Sequence, residues 1–240
     1  MTDALLPAGR FTETDFRVGR ALWRTSSIFL RNFPVFCLVT TIASLPTLLL
    51  PDRSYGVAAL SLILGAVLSG LSQAIVLYGA FADMRGRPVK LLESVKIGVR
   101  RFFPVIGVVI SVAVLSVLGL ALLVVPGLLW FTMWAVATPA CVVEGLGVSD
   151  SLLRSSELTR GHRWKIFGII ALLFIADAIV DDLIDTILDS VLTGLAAMAV
   201  HAAWSGIWAA FYAIFAVVAY HDLRVAKEGV DIEQIAAVFE

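Results

Sequence analysis

Charge is scarce in this chain. Only 15% of its 240 residues are Asp, Glu, Lys or Arg, while 60% are apolar; soluble domains average roughly a quarter and a half. A soluble fold of this length could not hide that much apolar surface, so lipid is the expected solvent. Cysteine is nearly missing too. Cys37 and Cys141 both fall near the inner ends of predicted spans, where no disulfide is expected and each reads as a small apolar residue. The N-terminus has no early apolar run behind a charged start, which argues against a cleaved signal peptide. Enzyme signatures are lacking: there is no His-Glu-x-x-His pair, no Gly-rich phosphate loop with lysine and no Gly-x-Ser-x-Gly elbow. Ala203-Trp204-Ser205-Gly206 comes near an intramembrane serine-protease motif. That motif wants glycine at 203, and the nearby His201 lies on the same predicted helix. No catalytic residue, metal ligand or cofactor is assigned. The formal net charge of −1, without a concentrated basic face, also argues against nucleic acid as a partner.

What charge there is falls in a pattern. Seventeen of the eighteen lysines and arginines lie in four stretches, 1–32, 82–103, 145–165 and 222–240, and only Arg53 lies outside them. Cytoplasmic loops retain basic residues, so the partition gives topology and orientation together. The predicted inner segments carry 17 basic against 13 acidic residues, and the outer ones carry Arg53 against six aspartates. That arrangement suits an inner surface facing anionic lipid headgroups.

Uncharged runs between these stretches predict six transmembrane helices at about 33–50, 57–81, 104–125, 127–144, 165–192 and 197–220. Between Arg101 and Glu144 the chain has 42 uncharged residues, about 63 Å of helix and therefore two crossings, with Pro126-Gly127 as the predicted reversal. Amphipathic segments are expected on the cytoplasmic side at about 14–32, 88–103 and 149–163, the last capped by Ser149 or Asp150 and ended by Gly161. A C-terminal tail over 222–240 holds a short predicted helix around Ile232–Phe239. The expected fold is thus all-α: one polytopic domain over 1–240, with six spans in three hairpins. Both ends lie in the cytoplasm. Each hairpin opens on a related sequence, Arg31-Asn32-Phe33-Pro34, Arg101-Phe102-Phe103-Pro104 or His162-Arg163-Trp164-Lys165, and closes on an acid, Asp83, Glu144 or Asp222. A threefold repeat of helix plus hairpin is one reading of this; the shared demands of crossing a membrane are the other. Small residues are spaced for close helix contact at Ser61, Gly65 and Ser69 and at Ala202, Gly206 and Ala210, and Pro139 should kink its helix.

Two sets of residues stand out as candidate sites. Asp177, Asp181, Asp185 and Asp189 recur every four residues with Asp182 alongside, forming a carboxylate ribbon on one helical face. A carboxylate at the bilayer centre costs about 2.5–3.5 kcal/mol on insertion scales, so the ribbon must meet water, headgroups or protein. A reversal near 191–193 would set His201 opposite Asp182 and Asp185. The ribbon with His201 is either an ion or polar-ligand site or the solvated rim of an amphipathic helix. The second set, Arg17, Arg20, Arg24, Arg100 and Arg101, either docks a partner or anionic lipid, or simply reaches to headgroups from ordinary connectors.

Two segments carry a family resemblance. Glu144-Gly145-Leu146-Gly147 with Ser151-Leu152-Leu153-Arg154-Ser155-Ser156-Glu157-Leu158-Thr159-Arg160-Gly161, and the ending Tyr220-His221-Asp222-Leu223-Arg224-Val225-Ala226-Lys227-Glu228-Gly229, resemble the glycerophosphoryl diester phosphodiesterase membrane-domain family. The resemblance implies a six-span protein of the bacterial cytoplasmic (inner) membrane in a lipid-related setting. It implies no catalysis, because the phosphodiesterase barrel of fused members needs some two hundred further residues and its own metal ligands. The expected role is a non-catalytic scaffold or accessory component, with membrane lipids, a protein partner or a second copy of itself as partners. The alternative is a transporter or lipid-handling protein that uses the acidic outer face of helix five.

Overall fold

A computed structural model describes residues 18–48, 55–122, 124–191 and 194–228, and these are helical with no strand among them. The helices are α1 (Val18–Arg31), α2 (Phe33–Leu48), α3 (Tyr55–Met84), α4 (Leu91–Leu122), α5 (Val124–Met133), α6 (Ala137–Glu144), α7 (Val148–Thr159), α8 (Arg163–Val191) and α9 (Leu195–Glu228). The tail helix expected around 232–239 lies outside the described residues. Among the described residues, three segments are long and apolar enough to cross a bilayer: Val67–Met84, Leu91–Gly119 and Ala196–Glu228. The pair α1–α2, bent by 84°, makes a fourth if it crosses as one unit. The chain is therefore a helical membrane protein.

The remaining predicted spans miss that test for local reasons. In α8, Asp177, Asp181 and Asp182 interrupt the apolar run. The expected fourth span is broken into α5 and α6 at residues 134–136. Pro139 was expected to kink this helix; the chain instead restarts just before it, so proline sits in the first turn of α6, where an amide N–H is not needed. The reversal expected at Pro126-Gly127 also comes earlier, since α5 already begins at Val124. There the helices close up: a Cβ on Gly119 would stand 2.8 Å from the Cα of Gly127.

The amphipathic segments depart from expectation individually. The first turns sharply into α2 at Asn32, whose side-chain amide donates to the Ile28 carbonyl. The second is not a separate in-plane helix. It runs straight into the third span as α4, with Pro104 inside, a rod of about 48 Å. The third, α7, starts at Val148 with Gly147 as its N-cap and no side-chain cap, so neither Ser149 nor Asp150 plays that role. Asp150 instead lies in the first turn, where the helix dipole favours an acid.

The core is centred on α9, α3 and the α4–α6–α7 junction, with Tyr220, Phe36, Leu77, Leu158, Ile166 and Ile214 fully buried. Helix α7 does more than skirt the bundle. Its hydroxyls repeat every four residues, Ser151, Ser155 and Thr159, and all three are buried. Ser155 and Thr159 both donate to the Met133 carbonyl (2.9 and 3.2 Å), while Ser155 Oγ accepts from Val136 N–H at 3.3 Å. Backbone groups freed by the helix break are thereby satisfied away from water, which interrupted membrane helices require. Small-residue packing holds on α9: Ala202, Gly206 and Ala210 are buried, and the Gly206 carbonyl accepts from Thr40 at 2.7 Å. On α3 the contact falls on Gly70 and Ser72, the small residues beside the predicted stripe, rather than on Ser69. Ser69 is exposed, Ser61 has no described side chain, and the close approaches are made by Gly70 to Ile106 and Gly79 to Phe36.

Candidate functional site

Among the described residues two polar regions stand out, one at the end of the bundle that carries the arginines and one on the acidic half of α8. The first is built around Glu144, the last residue of α6. Its Oε1 accepts from the hydroxyl of Tyr220 at 2.5 Å and from Arg154 Nε at 2.9 Å. Arg154 reaches on to Glu228, which also accepts from Arg224 Nε at 2.8 Å, and Arg224 donates to the Tyr220 oxygen at 3.2 Å. Lys227 donates to the Glu157 carbonyl. Burial alone would lower the pKa of Arg154, but its hydrogen bonds to Glu228 and Glu144 outweigh that and raise it. Each carboxylate and guanidinium of this network faces an opposite charge, and Lys227 is held by a backbone carbonyl; such pairing makes partly buried ions tolerable.

Turn geometry holds the network in place. Gly145 sits at φ +74°, in the left-handed region, and accepts from Arg101 Nη1 at 2.7 Å. A side chain there would be strained and would also run into the Arg101 guanidinium. Around the same end, Arg24 pairs with Asp222 at 2.8 Å, and Asp83 accepts from Asn32 at 3.0 Å with Arg31 at 3.5 Å. The five arginines singled out in the sequence therefore divide. Arg24 and Arg101 are spent inside the bundle, Arg20 and Arg100 are exposed, and Arg17 lies outside the described residues.

On α8 the carboxylates also part company. Asp177 is half-buried beside Trp204 of α9 and Asp181. Asp185 meets His201 Nε2 at 2.6 Å, across from α9, while Asp181 and Asp182 are exposed with no ion-pair partner among the described residues. The side chain of Asp189 lies outside what is described. His201 is thus placed against Asp185, and no contact joins it to Asp182. Facing them, α9 presents Trp204 stacked on Trp208 at 5.7 Å and Tyr212 edge-on to Trp208 at 5.6 Å. Among the described residues, no group of three or more His, Cys, Asp or Glu is close enough to hold a metal ion.

Sequence reasoning quoted Glu144, Arg154, Tyr220, Arg224 and Glu228 without joining them. The available signal was that the two motif segments each carried two acids beside arginines. Ser155 and Thr159 were missed as well, though hydroxyls four apart on one helix face are a readable stripe. Comparison with family models, with curated proteins and with solved structures gives no match.

Proposed function

We propose that this protein is a non-catalytic scaffold or accessory component of a bacterial cytoplasmic membrane, six-spanning in three hairpins, with its arginine-rich end in the cytoplasm against anionic headgroups. The observation that carries the reading is the saturation of the Glu144 network: its acids and bases are consumed by one another, leaving a rigid end plate rather than a free acid or base for chemistry. Contacts 32 to 83, 101 to 145 and 154 to 228 join the start and close of successive hairpins at that one end. This supports six crossings, with the broken α5–α6 pair and the acidic α8 as the spans that composition alone misses. Trp23 (75% exposed), Phe103 (82%) and Trp164 (72%) ring the same end, as aromatic anchors do at a lipid–water boundary. The likeness of the Glu144–Gly161 and Tyr220–Gly229 segments to the phosphodiesterase membrane-domain family fits this setting, and those two segments are the ones that meet in the network.

Cations not used inside the bundle are available for lipid. Arg20, Lys96 and Arg100 are exposed at this end, and each Lys or Arg near an anionic surface contributes about 1 kcal/mol. The test is to extract the protein with its surrounding lipid in polymer nanodiscs and measure anionic against zwitterionic lipid. The triple variant R20Q/K96Q/R100Q should lose anionic lipid severalfold. An unchanged ratio, with the variant still inserted, overturns the headgroup assignment.

One observation favours a second reading, a transporter or lipid-handling protein using the acidic face of α8: the His201–Asp185 pair and the half-buried Asp177 both turn toward α9. Polar groups at membrane depth often mark a substrate path. The variant D177N/D181N should then abolish activity in a growth assay while inserting normally, and full retention sinks this reading.

A further inference from the structure

A cavity of about 610 Å3 lies between α4, the α5–α6 break, α8 and α9. Its position is fixed by two of the candidate spans, Leu91–Gly119 and Ala196–Glu228, so it opens at the depth of the hydrocarbon. Three features of the sequence make it. Alanines 113, 209, 213 and 216 line it and leave room where larger side chains would close the space. The helix break sets Trp134 and Ala135 back from a straight path. Helix α8 packs chiefly on α5 and α9, so the α4 side is left open. At the mouth, Val117 and Phe174 are 63% and 55% exposed.

The wall is mostly apolar, but Gln73, Ser116, Thr138 and Tyr212 also line it, and the buried Ser116 and Tyr212 oxygens have no hydrogen-bond partner. Ser116 lines the cavity, is 8% exposed, and its Oγ has no hydrogen-bond partner. Four other buried hydroxyls bond the carbonyl four residues back, Thr25 to Ala21, Thr40 to Phe36, Ser151 to Gly147 and Thr159 to Ser155, whereas buried Ser94, like Ser116, has no partner. Ser116 departs from that habit. A buried hydroxyl left without a partner is costly in an apolar medium, and a void of this size forfeits dispersion contacts along its whole lining. Both deficits vanish if the space holds a hydrocarbon chain with a hydrogen-bonding oxygen near one end. Cavities of 300–1,000 Å3 lined by apolar side chains with a few polar groups are the usual form of small-molecule sites, and the open side here faces lipid rather than water.

We propose that this cavity is a binding site for one acyl chain of a membrane glycerolipid, which enters between α4 and α8 and whose ester oxygen accepts a hydrogen bond from Ser116. The proposal needs only that the chain sits in a bilayer, so it stands or falls apart from the scaffold reading. The full chain is reconstituted in phosphatidylglycerol vesicles containing a small fraction of the same lipid with a diazirine at mid-chain. After photolysis, labelled peptides are mapped. Labelling should concentrate on α4 residues 109–117 and α9 residues 209–216, at least fivefold above the lipid-facing surface around Ile42 and Leu172. Two variants are read out. Ala213→Phe fills the space and Val117→Trp obstructs the mouth, the latter at an exposed position that leaves the core alone. Each should remove the enrichment, whereas Leu172→Trp should not. Ser116→Ala should keep the chain but lose the preference for an ester lipid over its ether analogue. Uniform labelling over all lipid-facing helices overturns the proposal, as does enrichment that survives Val117→Trp. Recovery of a non-ester isoprenoid from the purified protein, with no acyl enrichment, overturns the ligand class.

Discussion

The two ends of the bundle handle charge in opposite ways. At the arginine-rich end, Glu144, Glu228, Asp222 and Asp83 each meet an arginine, and Glu144 also holds the buried Tyr220. Along the described acidic half of α8, Asp185 meets the partly exposed His201 and Asp177 lies beside Trp204, while Asp181 and Asp182 face outward. Both regions contain several carboxylates, gathered from α3, α6 and α9 at one end and strung along α8 at the other. What differs is the supply of cations, which one end has in excess and the other lacks entirely between Lys165 and Arg224. A carboxylate with an arginine within reach can be drawn into the structure and tie helices together. One without must stay at a wet surface, and it contributes little to holding its helix. The difference predicts that stability resides at one end and that the outer part of α8 is held loosely.

The largest effect should come from Glu144. Replacing it with leucine removes the acceptor for Tyr220 and Arg154 at once, and leaves a buried hydroxyl and two partly buried guanidiniums around an apolar side chain. Breaking such a pair by deleting one partner costs about 3–5 kcal/mol. Titration with a denaturing detergent, followed by loss of helical circular dichroism, should show the midpoint moving down accordingly. Glu144→Gln keeps a carbonyl for the Tyr220 hydroxyl and should lose less. If the leucine variant is as stable as the parent, the contrast between the ends disappears.

A second effect sharpens the contrast by testing how α7 is fixed. Ser155→Ala removes a donor to the Met133 carbonyl and the acceptor for Val136 N–H. Thr159 still reaches the Met133 carbonyl, but the stranded Val136 N–H should cost about 1–3 kcal/mol, with faster hydrogen exchange confined to 133–137. A loss spread evenly over the bundle would mean that the break is held by something other than the α7 hydroxyls.

Much of the architecture was legible because lipid imposes few options. Uncharged length predicts helices, and α3, α8 and α9 fall close to where the apolar runs place them. Where the reading went astray, tertiary contacts overrode a local signal. Pro126-Gly127 is a strong turn signal, yet α5 starts before it, because proline is at home in a helix's first turn. The segment 88–103 has an amphipathic pattern, but nothing in its sequence stops the helix, so it continues into α4. Ser149 and Asp150 are good caps on propensity, and they lost to Gly147. At the sites, the pairing of His201 with Asp185 followed from helix geometry alone. The Glu144 network did not, since residues 76 and 74 positions apart meet only once α6, α7 and α9 are packed. Likewise Arg24 and Arg101 looked like free surface cations, and only the fold shows that they are committed to Asp222 and to the Gly145 carbonyl.

The smallest effect belongs to the other end, and it is the most discriminating. His201 and Asp185 lie close, but their side chains are 36% and 54% exposed. Solvent screens such a pair, and exposed ion pairs typically contribute 0.2–1 kcal/mol. His201→Ala should therefore shift the detergent midpoint by under about 1 kcal/mol, and Asp185→Asn should match it without adding to it in the double variant. Non-additivity isolates the pair from whatever else each residue touches. A loss comparable to that of Glu144→Leu would mean that the acidic half of α8 is locked to α9 after all. The cation-poor end would then need a source of stability beyond the charges seen there.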